Sequence, residues 1–222
     1  MGWDGRTCVR ARVHLTGTHL STAHFGRSGR RTFRNASSTV VDMALPAAVD
    51  PGIRAVLDRQ VLILLELADE VLAEVSLEEC LHRFHPQSWT VHERDGHWFG
   101  ELGEEPPDVP TPSLGWTMWH PVWWLETLLA ASRGEPLPGP GNVEWPGPQS
   151  VRRIRELWSE WTTFVAGLTD DDLRSNELTR FPYADGRPFA YVLGWASMEM
   201  TKNLGEMCLL RRLVRDLGAV SR

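Results

Sequence analysis

A single histidine stands among aromatic residues in the segment from Pro112 to Glu126. At 3.6 residues per turn, Trp116, His120 and Trp123 share one face of a helix, which places the imidazole in an aromatic wall. A buried imidazole needs a hydrogen-bond partner or a metal ion, because leaving it unpaired costs roughly 1 to 3 kcal/mol. Two interpretations stay open: a core histidine bonded to a backbone carbonyl, or a residue that binds a ligand.

A second polar group lies near the C-terminus, where Glu199, Asn203 and Glu206 stand at positions i, i+4 and i+7 of a predicted helix. This spacing puts three oxygen-bearing side chains on one face. One interpretation is a solvated stripe in which Lys202 pairs with Glu199 and Glu206. The other is a buried stripe, because the helix is apolar nearly all round and buried polar side chains need partners.

Inward residues of two helices can converge in the core of a bundle, which is how bundle metal sites are built. His120, Glu199 and Asn203 would then offer one nitrogen and two oxygen ligands to a divalent ion with open positions for water. We expect Glu206 to serve as a catalytic base or to support these ligands. Lys202 would neutralise the carboxylates or bind an anionic substrate.

The positioning elements are predicted from apolar periodicity and from capping residues. Ser113 caps the helix that carries His120, Gly134 ends it, and Pro121 is expected to kink it just after His120. The predicted elements are a helix from Asp50 to Val75, a short one over 76–84, a hairpin or ordered loop within 88–101, helices over 113–132 and 150–168, a short helix after Thr169, and a last helix over 189–217. This pattern predicts an all-α four-helix bundle with long loops and a small β-hairpin near residues 88–101.

Composition narrows the classes of function. The net charge of −6 is unevenly distributed along the chain. Residues 1–42 carry seven arginines and two acids, Asp4 and Asp42, for a charge of +5, and the other 180 residues carry −11. An acidic body does not favour nucleic-acid binding, which needs clustered basic residues. The three cysteines, at positions 8, 80 and 208, form no CxxC pair, so a reducing cytoplasm fits best. No apolar run is long enough to span a membrane.

Residues 1–42 are predicted to be a poorly ordered basic arm, and residues 43–222 to be the bundle domain. Three explanations of the arm stay open: a transit-like peptide, a basic tail that touches nucleic acid or another partner, or a start codon wrongly assigned upstream of the true one. The segment that opens with Met43 resembles a natural beginning, so we expect the third.

From about residue 50 to 217 the chain resembles the DinB-like (YfiT-like) metalloenzyme family, which is related to mycothiol-dependent maleylpyruvate isomerase. The resemblance depends on the order and spacing of short motifs rather than on any one of them. The motifs are Leu114–Trp116 with Trp119-His120, Trp145–Gly147, and Trp195–Glu199 with Lys202-Asn203 and Glu206.

The resemblance implies a bacterial four-helix bundle protein and a homodimer. In members that bind metal, one histidine and a helical pair at i, i+4 hold a zinc or nickel ion. The single histidine matches His120, whereas the pair falls on Glu199 and Asn203, neither of which is histidine. The resemblance also implies a low-molecular-weight thiol as cosubstrate, because family members include thiol-dependent transferases and isomerases.

Two functions therefore stay open. The first is a metal-assisted transferase, isomerase or hydrolase acting on a small molecule, with the ion activating water or a thiol. The second is a metal-free bundle that binds a small apolar or aromatic ligand, with His120 and Glu199 hydrogen-bonded to each other. Its pocket would be lined by Trp116, Trp123, Trp195, Lys202 and Trp98, although such aromatics are more often core.

Overall fold

The structure is a computed structural model that describes residues 52–102 and 110–218. The basic arm, the segment at Met43 and Asp50, where the first helix is predicted to begin, lie outside these residues. The helices are α1 (Gly52–Val71), α2 (Leu77–Leu81), α3 (Leu114–Arg133), α4 (Ser150–Ala166), α5 (Asp170–Arg174) and α6 (Ala190–Asp216), and the strands are β1 (Val91–Arg94) and β2 (His97–Gly100).

The four long helices form the predicted bundle. They pack in a ring in which α1 contacts α6 and α4, and α3 contacts α4 and α6. Helices α1 and α6 run in the same direction: Ser197 near the start of α6 bonds the carbonyl of Leu57, and Arg211 near its end bonds that of Val71. In the described part of the chain, no helix has the length and apolar character needed to cross a membrane.

Capping residues define the ends of several helices. The hydroxyl of Ser113 accepts the amide of Trp116 at the start of α3, and Gly134 ends that helix in a left-handed conformation, as predicted. Ser76 forms a capping box with Glu79 at the start of α2. The sequence also predicts that Ser150 caps the helix over 150–168, and this is wrong. Ser150 is the first residue of α4, and its hydroxyl donates to the carbonyl of Gly147 rather than capping the helix.

The first helix also ends earlier than predicted, at Val71 rather than Val75. The chain turns at Glu74, whose φ of 56° is left-handed, before the α2 cap begins. The guanidinium of Arg211 bonds the carbonyls of Val71 and Ala73 at this point. The end of α1 is therefore marked by a tertiary contact with Arg211 on α6, which the apolar periodicity of α1 cannot predict.

Helix α3 is the central element of the fold. All but one of its residues from Leu114 to Ser132 are buried, and the helix continues through Pro121. A helix with no solvated face offers no exposed position for a polar ring. His120 is therefore in the core because of the element that carries it.

The hairpin packs against α3 and the loop before α4. Strands β1 and β2 pair antiparallel around Asp95-Gly96, which confirms the predicted hairpin. Gly100 lies against the indole of Trp119, whose Nε1 donates to the carbonyl of Val143 at 2.8 Å. The hairpin and the loop before α4 are thus fixed to the same turn of α3 that carries His120.

Candidate functional site

The predicted partners meet in the bundle core. Nδ1 of His120 on α3 lies 2.8 Å from Oδ1 of Asn203 on α6. Both residues are buried, with His120 6% exposed and Asn203 fully enclosed. The imidazole is therefore neither unpaired nor bonded through Nδ1 to a backbone carbonyl, as one interpretation of the sequence held.

The amide of Asn203 fixes the direction of this bond. Its Nδ2 donates to the backbone carbonyl of Glu199 at 2.9 Å and to the Glu199 carboxylate at 3.1 Å. With the amide nitrogen committed to Glu199, the amide oxygen faces His120 as an acceptor. Nδ1 of His120 must then carry the proton, which leaves Nε2 with a lone pair.

A lysine at the surface completes the network. Nζ of Lys202 lies 2.6 Å from Oε1 of Glu199, whose side chain is 2% exposed, while that of Lys202 is 42% exposed. The predicted pairing of Lys202 with Glu199 is present. The solvated stripe is wrong for Glu199 and Asn203, because both are buried, whereas Glu206 is exposed as a residue.

The prediction that His120 bonds Glu199 directly is also wrong, because Asn203 stands between them. Residues four apart on α6 share a face, but the amide takes the position next to the ring and the carboxylate points toward Lys202. One oxygen of the buried carboxylate, Oε1, thus bonds both the amide of Asn203 and the ammonium of Lys202.

Two tryptophans enclose the imidazole, as their spacing predicted. The ring of Trp116 stacks on His120 with centroids 4.9 Å apart and planes 10° apart, and Trp123 lies at 5.8 Å. Trp116 is held in turn by its Nε1, which donates to the backbone carbonyl of Glu101 at 2.7 Å. Sequence reasoning missed this carbonyl, and no side-chain signal could have revealed it.

The other predicted pocket residues lie further away. Trp195 packs on Trp124 and on Phe181, and Phe181 in turn contacts Trp123. Trp98 packs against Trp145 at the hairpin. We find both residues in the aromatic core around the site, with no ring contact to His120 among the described residues.

Electrostatics keep the ring neutral. Burial lowers the pKa of His120 to about 4, the nearby Lys202 lowers it as well, and Glu199 and the Asn203 bond only partly oppose these effects. Burial of the carboxyl group raises the pKa of Glu206. The charge of Lys202 opposes this shift, and that of Glu199 adds to it. Glu206 nevertheless remains exposed as a residue, one turn beyond the buried pair.

The donor set does not fit a tightly held metal ion. The oxygen of Asn203 accepts from His120, and the carboxylate of Glu199 accepts from both Asn203 and Lys202. Within residues 52–102 and 110–218, no cluster of three or more histidine, cysteine, aspartate or glutamate side chains could hold a metal. One imidazole nitrogen with two committed oxygens is a poor match for zinc or nickel.

The fold and the site define a four-helix bundle protein in which a buried imidazole, an amide and a carboxylate join two helices. The family model of the DinB superfamily matches residues 100–207 of this chain, a segment that contains His120, Glu199 and Asn203. The resemblance inferred from the motifs is thus confirmed.

A solved structure supports the same fold. The crystal structure of a conserved protein from Enterococcus faecalis is 13% identical to this chain, with a TM-score of 0.52. The match covers 74% of this chain and 98% of that one. Among curated proteins, no significant sequence match was found. At this identity the structural likeness concerns the fold alone.

Proposed function

We propose that this protein binds a small molecule at His120 without a metal ion, and that the molecule donates a hydrogen bond to Nε2 of the ring. The observation that carries the proposal is the hydrogen-bond chain from Lys202 through Glu199 and Asn203 to His120. This chain commits Nδ1 and leaves Nε2 as the acceptor.

The surroundings favour a flat or apolar ligand. The faces of Trp116 and Trp123 lie on the imidazole and present aromatic surface to a neighbour of the ring. A hydroxyl, a thiol or an N–H group on such a body would satisfy Nε2. The thiol implied by the family resemblance is one member of this class, and it stays a prediction.

The metal-assisted enzyme is the second candidate, and the match to the family model is what keeps it open. The committed oxygens of Asn203 and Glu199 do not favour it. A catalytic role for Glu206, an anion-binding role for Lys202, a homodimer, a bacterial origin and a cytoplasmic location also stay predictions.

The test compares two probes of similar shape, phenol and anisole, by calorimetric titration of the full-length protein. Phenol donates a hydrogen bond and anisole does not, so phenol should bind about tenfold more tightly, as one hydrogen bond predicts. His120→Phe should abolish this preference. The matched control is His97→Phe on the exposed hairpin, which should preserve it.

Metal content separates the two candidates. Protein purified without an affinity tag should contain no stoichiometric metal and should not take up added zinc, nickel or manganese. Stoichiometric metal that is lost in His120→Ala would overturn the metal-free proposal in favour of the enzyme. Equal affinity for phenol and anisole would overturn the role of Nε2 as acceptor.

A further inference from the structure

A cavity lies on the side of α6 that faces away from His120. It has a volume of about 260 Å³ and is formed by the start of α1, the end of α4 and the start of α6. Its wall on α6 includes Ser197, which is two positions from Glu199 and therefore on nearly the opposite side of that helix. The cavity is thus separate from the His120 site.

One residue that lines this cavity, Trp161, has an indole N–H without a hydrogen-bond partner among the described residues. Its side chain is fully buried. Trp158 on the same helix differs, because its Nε1 donates to Asp58 at 2.9 Å. A buried indole N–H without an acceptor costs roughly 1 to 3 kcal/mol, so a ligand that supplied an acceptor would recover part of this free energy.

The other polar side chains around the cavity already make hydrogen bonds within the protein, including Thr162, which donates to the carbonyl of Ser159. The hydroxyl of Ser197 makes only a long bond of 3.4 Å to the carbonyl of Leu57. The guanidinium of Arg54 at the rim donates to the carbonyl of Leu168 and to Asp170. The one acidic side chain of the lining, Asp58, already accepts from Trp158. A ligand that fits this wall brings an acceptor and an apolar body.

We propose that this cavity is a second small-molecule site, which binds a compact apolar molecule that carries a carbonyl or similar acceptor. In this complex the N–H of Trp161 donates to that acceptor. Leu193 and Val165 supply apolar wall. The site is independent of His120, so either site can fail its test without affecting the other.

The test reads the indole N–H directly. Full-length protein labelled with ¹⁵N-tryptophan is titrated with acetophenone, and separately with ethylbenzene, which has a similar shape but no acceptor. Trp161→Phe assigns the resonance. We expect a saturable shift of the Trp161 N–H with acetophenone that ethylbenzene does not reproduce. The N–H signals of Trp124 and Trp145, which also lack an acceptor but lie outside this lining, should stay in place.

A variant at the rim tests the location. Ala166 is exposed at the end of α4 and lines the cavity, so Ala166→Leu should narrow it without disturbing the core and weaken acetophenone binding at least tenfold. The matched control is Ala184→Leu on an exposed loop, which should leave binding unchanged. The proposal is overturned by the absence of a saturable shift at Trp161, by equal shifts with both probes, or by unchanged affinity in Ala166→Leu.

Discussion

Nδ1 of His120 donates to Oδ1 of Asn203 over 2.8 Å, and this bond joins α3 to α6 across the core. Its direction is fixed because the amide nitrogen of Asn203 is committed to Glu199. The network therefore determines which imidazole nitrogen is available to a ligand before any ligand arrives. The availability of Nε2 to a ligand thus depends on the direction of these hydrogen bonds more than on the number of polar groups in the site.

We expect the His120 ring to carry its proton on Nδ1 and to stay neutral from about pH 8 to pH 5. Burial lowers its pKa to about 4, well below that of an ordinary histidine. Two-bond ¹H–¹⁵N spectra of ¹⁵N-histidine-labelled protein report both the tautomer and the charge. The same protein in urea should show the ordinary titration. A ring protonated at pH 6, or an Nε2–H tautomer, would contradict the geometry.

Asn203→Leu is expected to lower the free energy of unfolding by about 2 to 4 kcal/mol. The substitution leaves the Nδ1–H of His120 without an acceptor and removes a donor from the buried Glu199 carboxylate. Urea denaturation measures the loss. The volume-conserving change Leu204→Met at the next core position is the control and should cost less than about 1.5 kcal/mol.

A double-mutant cycle isolates the bond between the two residues. In His120→Phe the amide of Asn203 has already lost its donor, so adding Asn203→Leu should cost less than it does in the wild type. We expect a coupling of about 1 to 2 kcal/mol in urea denaturation. Strict additivity would show that the two side chains do not interact.

The sequence was sufficient to predict that His120, Glu199 and Asn203 converge. Helical spacing put each polar residue on a buried face, and bundle topology brought the two faces together. Local rules also predicted the Ser113 cap and, as one of two alternatives, the hairpin within residues 88–101. These features depend on residues close in the chain, or on a face as a whole.

The order of the hydrogen bonds could not be predicted. Glu199 and Asn203 share a face, and only the rotation of α6 against α3 decides which of them reaches His120. The cavity beside Trp161 was missed for a similar reason, because three helix ends create it. Features of this kind are set by tertiary contacts that local patterns do not encode.

Two glycines with opposite surroundings give a matched pair of substitutions. A Cβ at Gly100 would overlap the indole ring of Trp119, whereas a Cβ at Gly194 on α6 would meet nothing within 4 Å. We expect Gly100→Ala to lower the free energy of unfolding by about 1 to 3 kcal/mol. Gly194→Ala should raise it by about 0.5 to 1 kcal/mol, because alanine favours the helix. Thermal and urea denaturation measure both, and a neutral Gly100→Ala would contradict the packing of the hairpin on α3.

An ion cluster joins Glu79 on α2 to Arg211 and Arg215 on α6, and it was not predicted from the sequence. Arg211 is 1% exposed, and its Nε lies 3.3 Å from Oε1 of Glu79, the same oxygen that Arg215 approaches at 3.0 Å. Desolvation raises the pKa of Glu79, but the Ser76 amide, Arg215 and Arg211 outweigh it, so the net pKa is lowered. The carboxylate therefore stabilises the fold above its ordinary pKa, and this contribution is lost as the pH falls through the lowered value.

Glu79→Gln separates this contribution from general acid unfolding. At pH 7 the variant leaves the buried Arg211 without its carboxylate, which should cost about 3 to 5 kcal/mol in urea denaturation. As the pH falls below the ordinary glutamate pKa of 4.5, the wild type should then lose more stability than the variant, because only the wild type must protonate Glu79. Glu126→Gln, which breaks a partly exposed pair with Arg153, is the control and should change stability by less than about 1 kcal/mol. If wild type and Glu79→Gln lost stability in parallel on acidification, the carboxylate would have no part in the acid sensitivity of the fold.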